Sequence, residues 1–229
     1  TFQDKCGSLE KSQIWSIAPG NDNYVFFASN NGLGVYDGVR WEVCIPQGGS
    51  IIRNIYFDPK TNILYSGSVN QFGKWTQDRF GKFVYTPIWI NKERNMSVEF
   101  WRVESPVNNG GHIYAQSHQI ILKYDVVTQK MDTIRANDNF SYMHIVSGDV
   151  WVQIKNTLYR IDSDKKFHAI IDVDDRVMYA VKRDSDKKVL LFLEHKGIFI
   201  LSEDYTKVTP LNQHTNTILG KAKIFAARE

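Results

Sequence analysis

The amino-acid sequence predicts an all-β fold built from repeated four-stranded units. Aromatic residues make up 13% of the 229 residues, and such side chains favour strands because they fill a pleated, half-buried surface. Short apolar runs alternate with turn residues, and the whole pattern returns roughly every forty residues. No apolar stripe of helical period persists over three turns, and no capping box precedes an apolar run. We therefore expect strands and turns throughout.

The first unit, residues 13–46, shows the pattern in full. Four runs with strand character are separated by polar turns, and they read IWSIA, NYVFFAS, GVYDG and RWEVCI. The pairs Asn31-Gly32 and Asp37-Gly38 are strong hairpin signals, because these residues tolerate the positive φ of tight turns. The unit is therefore predicted to be an antiparallel meander of four strands.

Four more units of this kind follow, and a sixth is predicted to begin with a strand near Thr217. The third run of each full unit carries an aromatic residue at a matching place. After a lead-in segment at residues 1–12, the predicted units span residues 13–46, 51–88, 98–135, 140–171, 176–211 and, in part, 217–229. A four-stranded meander with this period is typical of a β-propeller blade, which must stack on its neighbours to bury both faces. A β-sandwich would not require the same aromatic residue to recur in the same run.

The number of units bears on whether a ring can close. Propellers close with four to eight blades, whereas this sequence shows five units and the start of a sixth. Either the chain is a truncated arc of a larger propeller, or residues 223–228 complete a blade with the N-terminal segment. Residues 1–12 have little strand character, which favours the truncated arc.

Composition and charge exclude several classes of protein. The formal net charge of +3 is too small to indicate nucleic-acid binding, which usually needs clustered Lys and Arg on one face. No apolar stretch approaches the roughly 20 residues of a membrane-spanning helix. With only Cys6 and Cys44, neither a disulfide scaffold nor a cysteine-based metal framework is expected. A single bridge and a buried, inert thiol at Cys44 both remain open.

The first two units resemble the two-component regulator propeller repeat. In the first unit the resemblance lies in IWSIA at residues 14–18, NGL at 31–33 and VYDG at 35–38. In the second unit it lies in RNIY at 53–56 and NQFG at 70–73. This sequence pattern is similar to a subtype of the repeat found in membrane-spanning regulators of Bacteroidetes. The resemblance covers residues 13–88 well. Over 98–211 only the rhythm of the strands persists.

The resemblance implies a periplasmic sensor, the ectodomain of a protein anchored in the inner membrane. In the family, such propellers belong to hybrid histidine kinases, or to membrane-bound regulators with a triple-tyrosine β-sandwich and a helix-turn-helix module. Neither output module has its motifs in this sequence. Any kinase or DNA-binding activity would therefore belong to another part of such a protein, and no nucleic acid is expected as a partner of this chain.

The alternative function is a propeller lyase or hydrolase that acts on polysaccharide. The sequence contains no complete Ser-x-Asp-x-Gly-x-x-Trp box and no Gly-x-Ser-x-Gly elbow. Its six histidines are scattered, without carboxylate or Cys partners at ligand spacing. We accordingly predict no catalytic residues, no cofactor and no metal, and hence no enzyme.

Candidate ligand-binding residues lie where the first strand of each unit begins, because loops on a rigid scaffold carry function. They are Trp15, Arg53, Trp101, Arg102, Tyr142 and Arg176. Arg can grip a carboxylate or sulfate with two hydrogen bonds, and aromatic residues are favoured at recognition surfaces. We expect an oligosaccharide, including an anionic one, or a protein such as a second copy in a homodimer. In the alternative interpretation the tryptophans pack between blades and the arginines pair with nearby acids.

Overall fold

The computed structural model describes residues 12–49, 51–93, 95–106 and 111–222. The described residues form five four-stranded antiparallel sheets, each made of four consecutive strands in simple meander order. The predicted all-β class and the five four-stranded units are thus confirmed. A short helix follows the fifth sheet.

The strands of the described residues fall into five consecutive groups of four. The first sheet contains β1 (Ile14–Pro19), β2 (Val25–Ser29), β3 (Gly32–Tyr36) and β4 (Trp41–Cys44). The second contains β5 (Ile52–Asp58), β6 (Ile63–Ser68), β7 (Gln71–Gln77) and β8 (Phe83–Ile90). The third contains β9 (Arg102–Glu104), β10 (His112–Gln116), β11 (Ile121–Asp125) and β12 (Met131–Ile134). The fourth contains β13 (Phe140–Val146), β14 (Asp149–Ile154), β15 (Thr157–Ile161) and β16 (Phe167–Asp172). The fifth contains β17 (Val177–Lys182), β18 (Val189–Leu193), β19 (Gly197–Leu201) and β20 (Val208–Pro210).

The chain divides into two compact units, and the boundary between them runs through the third sheet. The first unit holds the described residues up to Glu104 together with 113–117 and 121–123. The second unit holds the remaining described residues. Each unit has its own apolar core.

The core of the first unit lies between the first and second sheets. Phe26 and Leu33 of the first sheet and Trp75 of the second are at most 1% exposed. The ring of Phe26 lies 5.6 Å from Phe57 and 5.2 Å from Phe83, centroid to centroid. Large rings bury much apolar area at small entropic cost, so they act as the filling between sheets.

The core of the second unit includes the interface between the fourth and fifth sheets. Trp151 and Leu158 of the fourth sheet belong to the same buried cluster as Leu191 and Leu193 of the fifth. All four side chains are at most 2% exposed. Alternate residues of β18 therefore turn towards the fourth sheet, as the period-2 geometry of a strand requires.

The helix α1 (Gln213–Ala222) corrects the prediction of a strand beginning at Thr217. Asn212 caps its N-terminus, because the Asn212 Oδ1 atom accepts the backbone N–H of Thr215 at 2.9 Å. One turn later, the buried Asn216 side chain pairs with the backbone of Ile198 in β19. Residues 217–222 thus belong to a helix docked on the fifth sheet, while residues 223–229 lie outside the described part.

Cys44 is a buried thiol at the end of β4. Desolvation raises its pKa to about 12, with a further contribution from Glu42, so it has the character of an inert structural cysteine. The question of a bridge to Cys6 lies outside the described residues. Within the described part of the chain, no helix has the length and apolar character to cross a membrane.

Candidate functional site

The first strands of four sheets contain a β-bulge near their start. In β1, Ile14 pairs with Ser29 but Ser16 pairs with Ala28, so Trp15 is the extra residue. The same shift makes Arg53 the extra residue in β5 and includes Tyr142 in β13. A bulge leaves the extra residue out of the ladder and redirects its side chain. Trp15 and Arg53 thus occupy the same structural position, and Tyr142 lies with Ser141 in the corresponding irregular stretch of β13.

Trp15 is the centre of a polar and aromatic strip in the first unit. Its Nε1 atom donates a hydrogen bond to Asn30 Oδ1 at 2.7 Å. The guanidinium of Arg53 lies over the indole ring, 4.1 Å from the centroid, within the range of a cation–π interaction. Arg53 also forms an ion pair with Glu99. We call Trp15, Asn30, Arg53 and Glu99 the Trp15 strip.

The strip is accessible to a ligand. Trp15 is 41% exposed, and the side chains of Arg53 and Glu99 are 22% and 45% exposed. An indole held by one hydrogen bond and one stacked cation keeps its orientation with little loss of conformational entropy on binding. These four side chains therefore form a preorganised surface.

Trp101 and Arg102 lie at the start of the third sheet. Arg102 Nε donates to Glu104 Oε1 at 2.7 Å, and the two side chains are 16% and 29% exposed. Trp101 is half-buried, and its backbone N–H donates to the Gln116 carbonyl at 3.1 Å. Arg102 is thus partly covered and already paired, so its charge is less available than the sequence suggested.

Arg176 and Tyr142 lie in the second unit. Arg176 is exposed, and its Nη1 atom is 3.4 Å from Oε2 of Glu194. Glu194 is buried, with 6% of the residue exposed, and its backbone N–H donates to the Arg176 carbonyl at 2.9 Å. Burial of the Glu194 carboxylate would cost free energy without the adjacent Arg176 guanidinium. Tyr142 is half-buried in β13.

Asp175 and His195 extend this group. The Nδ1 atom of His195 is 3.1 Å from Asp175 Oδ1, and the His195 backbone N–H donates to Asp175 Oδ2 at 2.7 Å. Burial alone would raise the pKa of Asp175, but the hydrogen bonds from His195 and Arg176 outweigh it and hold the pKa below its ordinary value. Asp175 therefore stays ionised and fixes the turn that carries His195.

The group formed by Asp175, Glu194 and His195 could in principle hold a metal ion. Their ligand atoms lie within 4.8 Å of one another. However, Asp175 already accepts hydrogen bonds on both oxygens, and Arg176 already pairs with Glu194. A cation would compete with these donors, so the arrangement fits an internal hydrogen-bond network better than a metal centre. The absence of a metal stays a prediction.

The predicted site has less net positive charge than its three arginines suggested. Each of the three predicted arginines, Arg53, Arg102 and Arg176, pairs with a glutamate. This is the alternative interpretation of the arginines, and it leaves little net positive charge for an anionic ligand. Sequence reasoning did not identify Asn30 or these glutamates as part of the site. Only Glu104 had a signal, because it lies two residues from Arg102 on the same face of a strand.

Comparisons with known proteins show the fold and no closer relationship. No family model and no curated protein matches the chain. Virginiamycin B lyase from Staphylococcus aureus is similar in structure with a TM-score of 0.65 at 11% identity, over 88% of this chain and 72% of that chain. The Dos1 propeller gives a TM-score of 0.68 at 10% identity, over 88% of this chain and 59% of that chain.

A third similar structure is the extracellular domain assigned to a hybrid two-component system, BT4673, of B. thetaiotaomicron. Its TM-score is 0.63 at 14% identity, over 86% of this chain but only 27% of that chain. The chain thus spans about a quarter of that domain's length. The five meander sheets and these structural similarities place the protein in the β-propeller class of folds.

Proposed function

We propose that this chain is the extracytoplasmic ligand-sensing propeller region of a transmembrane signalling regulator. The observation that carries the proposal is the structural similarity to the extracellular domain of the B. thetaiotaomicron two-component system, which extends over 86% of this chain. The sequence pattern of residues 13–88, which resembles the regulator propeller repeat, supports the same function independently. A periplasmic location and a membrane anchor elsewhere in the protein follow from the proposal.

The proposed ligand is a neutral oligosaccharide that contacts the Trp15 strip. An indole ring offers a stacking surface for a sugar, and Asn30 and Glu99 offer oxygen atoms to its hydroxyl groups. Because Glu99 neutralises Arg53, the strip lacks the unpaired cation that a carboxylate or sulfate would require. The proposal therefore replaces the anionic sugar with a neutral one, and keeps a protein partner as the competing ligand.

Isothermal titration calorimetry on the folded chain tests this proposal. A panel of neutral oligosaccharides should contain a binder, whereas sulfated and uronic-acid oligosaccharides should bind more weakly. Trp15→Ala should weaken binding at least roughly tenfold, corresponding to about 1.4 kcal/mol. Arg40→Ala is the matched control, because Arg40 is exposed in the turn at the opposite edge of the same sheet. If no glycan binds the folded chain, or if Trp15→Ala binds as the unmodified chain does, the sugar proposal is wrong.

A second candidate function, a polysaccharide lyase or hydrolase, has one specific observation in its favour. His195 and Asp175 form a histidine–carboxylate pair at 3.1 Å, and the His195 side chain is 57% exposed. Such a pair can serve as a general base. Among the similar structures, a variant of virginiamycin B lyase with a histidine replaced by alanine is described as catalytically inactive.

The two candidate functions can be separated by activity. Polysaccharides that the chain binds should be incubated with it and analysed for new reducing or unsaturated ends. Cleavage that disappears in His195→Ala but persists in His168→Ala would establish the enzyme. His168 is a suitable control because it forms a similar pair with Asp162, at 2.6 Å. Binding without cleavage supports the sensor.

A further inference from the structure

The longest connection between two successive sheets leads into the Trp15 strip. It joins β8 to β9 and comprises residues 91–101, whereas the other three connections, residues 45–51, 135–139 and 173–176, are shorter. Glu99 of the strip belongs to this connection and pairs with Val69 through an isolated antiparallel bridge. Loops that a rigid scaffold positions carry a large share of binding residues. The part of the connection that precedes the strip, residues 91–97, is therefore a candidate extension of the ligand site.

Asn70, in the turn between β6 and β7, holds this connection in place. Its backbone N–H donates to the Val98 carbonyl at 2.6 Å, and its carbonyl accepts the Asn91 N–H at 2.9 Å. Its Oδ1 atom accepts the Val98 N–H at 2.8 Å and the Asn91 Nδ2 group at 3.0 Å. Asn91 Nδ2 also donates to the carbonyl of Met96. These hydrogen bonds set the shape of the connection before a ligand binds, which lowers the entropic cost of binding.

A polar cavity of about 330 Å³ lies between this connection and Asn70, and we call it the Asn95 cavity. This volume is at the lower end of the range of roughly 300–1,000 Å³ that is typical of ligand sites. Lys92 and Glu93 are the charged residues of its described lining, so their charges balance. The side chains of Asn95 and Ser97 are exposed and form no hydrogen bond within the described part of the chain. An amide and a hydroxyl both donate and accept hydrogen bonds, as the hydroxyl groups of a sugar require.

We propose that the Asn95 cavity is a second sugar subsite beside the Trp15 strip. One ring of the ligand stacks on Trp15, and the adjoining ring enters the cavity, where its hydroxyl groups bind Asn95 and Ser97. The ligand is then a neutral oligosaccharide of at least two rings, because charges balance both in the strip and in the cavity. This inference rests on the proposed binding of a sugar by the Trp15 strip, and it adds the minimum length of that sugar and two residues that select for it.

Calorimetry with matched sugars of different length tests the second subsite. The probes are glucose and cellobiose, xylose and xylobiose, and mannose and mannobiose, each titrated into the folded chain. The disaccharide that binds should bind about tenfold more tightly than its monosaccharide. Asn95→Ala and Ser97→Ala should each weaken disaccharide binding roughly three- to tenfold, as expected for one lost hydrogen bond, and leave monosaccharide binding unchanged. Trp15→Ala should weaken both, and Thr86→Ala, an exposed position of β8 outside the cavity, should weaken neither.

The outcomes separate this inference from the proposed function. If a disaccharide binds no more tightly than its monosaccharide, or if it binds Asn95→Ala and Ser97→Ala as it binds the unmodified chain, the second subsite is wrong while sugar binding by Trp15 stands. If none of these sugars binds, the proposed function fails and the inference fails with it. Ser97→Phe fills the cavity without removing Asn95, and it should abolish the advantage of the disaccharide. Thermal unfolding should be nearly unchanged in all three cavity variants, because Asn95 and Ser97 are exposed.

Discussion

The side chain of Asn216 is predicted to hold the helix α1 on the fifth sheet. Its Oδ1 atom accepts the Ile198 N–H at 2.8 Å, and its Nδ2 atom donates to the Ile198 carbonyl at 2.8 Å. The amide thus binds β19 as an additional strand would. Asn216→Ala removes both hydrogen bonds at a position that is only 8% exposed.

The magnitude follows from the groups left behind. The Ile198 carbonyl keeps a donor, because the Leu211 N–H also reaches it at 2.9 Å. The Ile198 N–H loses the acceptor that Asn216 supplies, and a buried donor without a partner costs about 1–3 kcal/mol. We expect Asn216→Ala to cost about 2 kcal/mol, which corresponds to roughly 4–8 °C in a domain of this size. Asn216→Asp keeps the acceptor but places a charge beside the Ile198 carbonyl, so it should cost at least as much at neutral pH.

Thermal unfolding followed by circular dichroism measures the free-energy change, and hydrogen exchange at the Ile198 amide measures the local contact. Exchange at Ile198 should accelerate in Asn216→Ala. Thr217→Ala is the control, because Thr217 is exposed on the same helix and should change neither quantity appreciably. A loss of stability below about 0.5 kcal/mol, the size typical of surface substitutions, together with unchanged exchange at Ile198, would refute this account of how the helix is docked.

Three further predictions concern backbone, charge and thiol chemistry. Gly197 has a φ of +93°, and an added Cβ would lie 2.5 Å from Asn216 Oδ1. Gly197→Ala should therefore lower the free energy of unfolding by about 1–3 kcal/mol in denaturant unfolding, and by less when Asn216 is also replaced by Ala. Equal losses in the two backgrounds would contradict the clash. A hydrogen bond from Arg183 lowers the pKa of Asp186 to about 2. The ionised Asp186 therefore contributes its full stabilisation above the ordinary pKa of 3.8, and this contribution is lost as the pH falls towards 2. Asp186→Asn should make the unfolding temperature depend less on pH over that range, and an unchanged dependence would contradict this prediction. Because burial raises the pKa of Cys44 to about 12, iodoacetamide at pH 8 should label it only after unfolding, as mass spectrometry of the peptide would show; native labelling would disprove this.

The strand order was predictable because its signals are local. The turns at Asn31-Gly32 and Asp37-Gly38 use glycines with φ of +116° and +95°, as the sequence indicated. The recurring aromatic residues lie in the third strand of each sheet, as the repeat predicted. Alternation of side chains in a strand and the demands of tight turns can be read within a few residues.

The contacts of the candidate site were not predictable because they are long-range. Glu99 pairs with Arg53 across 46 residues, and no local pattern indicates which acid an arginine will meet. The helix α1 was missed for a related reason. Its sequence, QHTNTILGKA, has few apolar residues on any face, and the contact of Asn216 with Ile198 stabilises it from outside. Only the cap at Asn212 was a local signal.

The bulges in the first strands allow the side chain of one residue to vary while the hydrogen-bonded ladder of the sheet stays the same. The bulge position holds an indole at Trp15, a guanidinium at Arg53 and a thioether at Met178, and the irregular stretch of β13 contains Ser141 and Tyr142. The residue at a bulge does not take part in the ladder, so a substitution there leaves the strand register intact. Sheets of one architecture can thereby acquire different chemistry one residue at a time. Libraries randomised at Trp15 and Arg53, which are 41% and 22% exposed, should yield folded variants more often than libraries randomised one residue further along each strand.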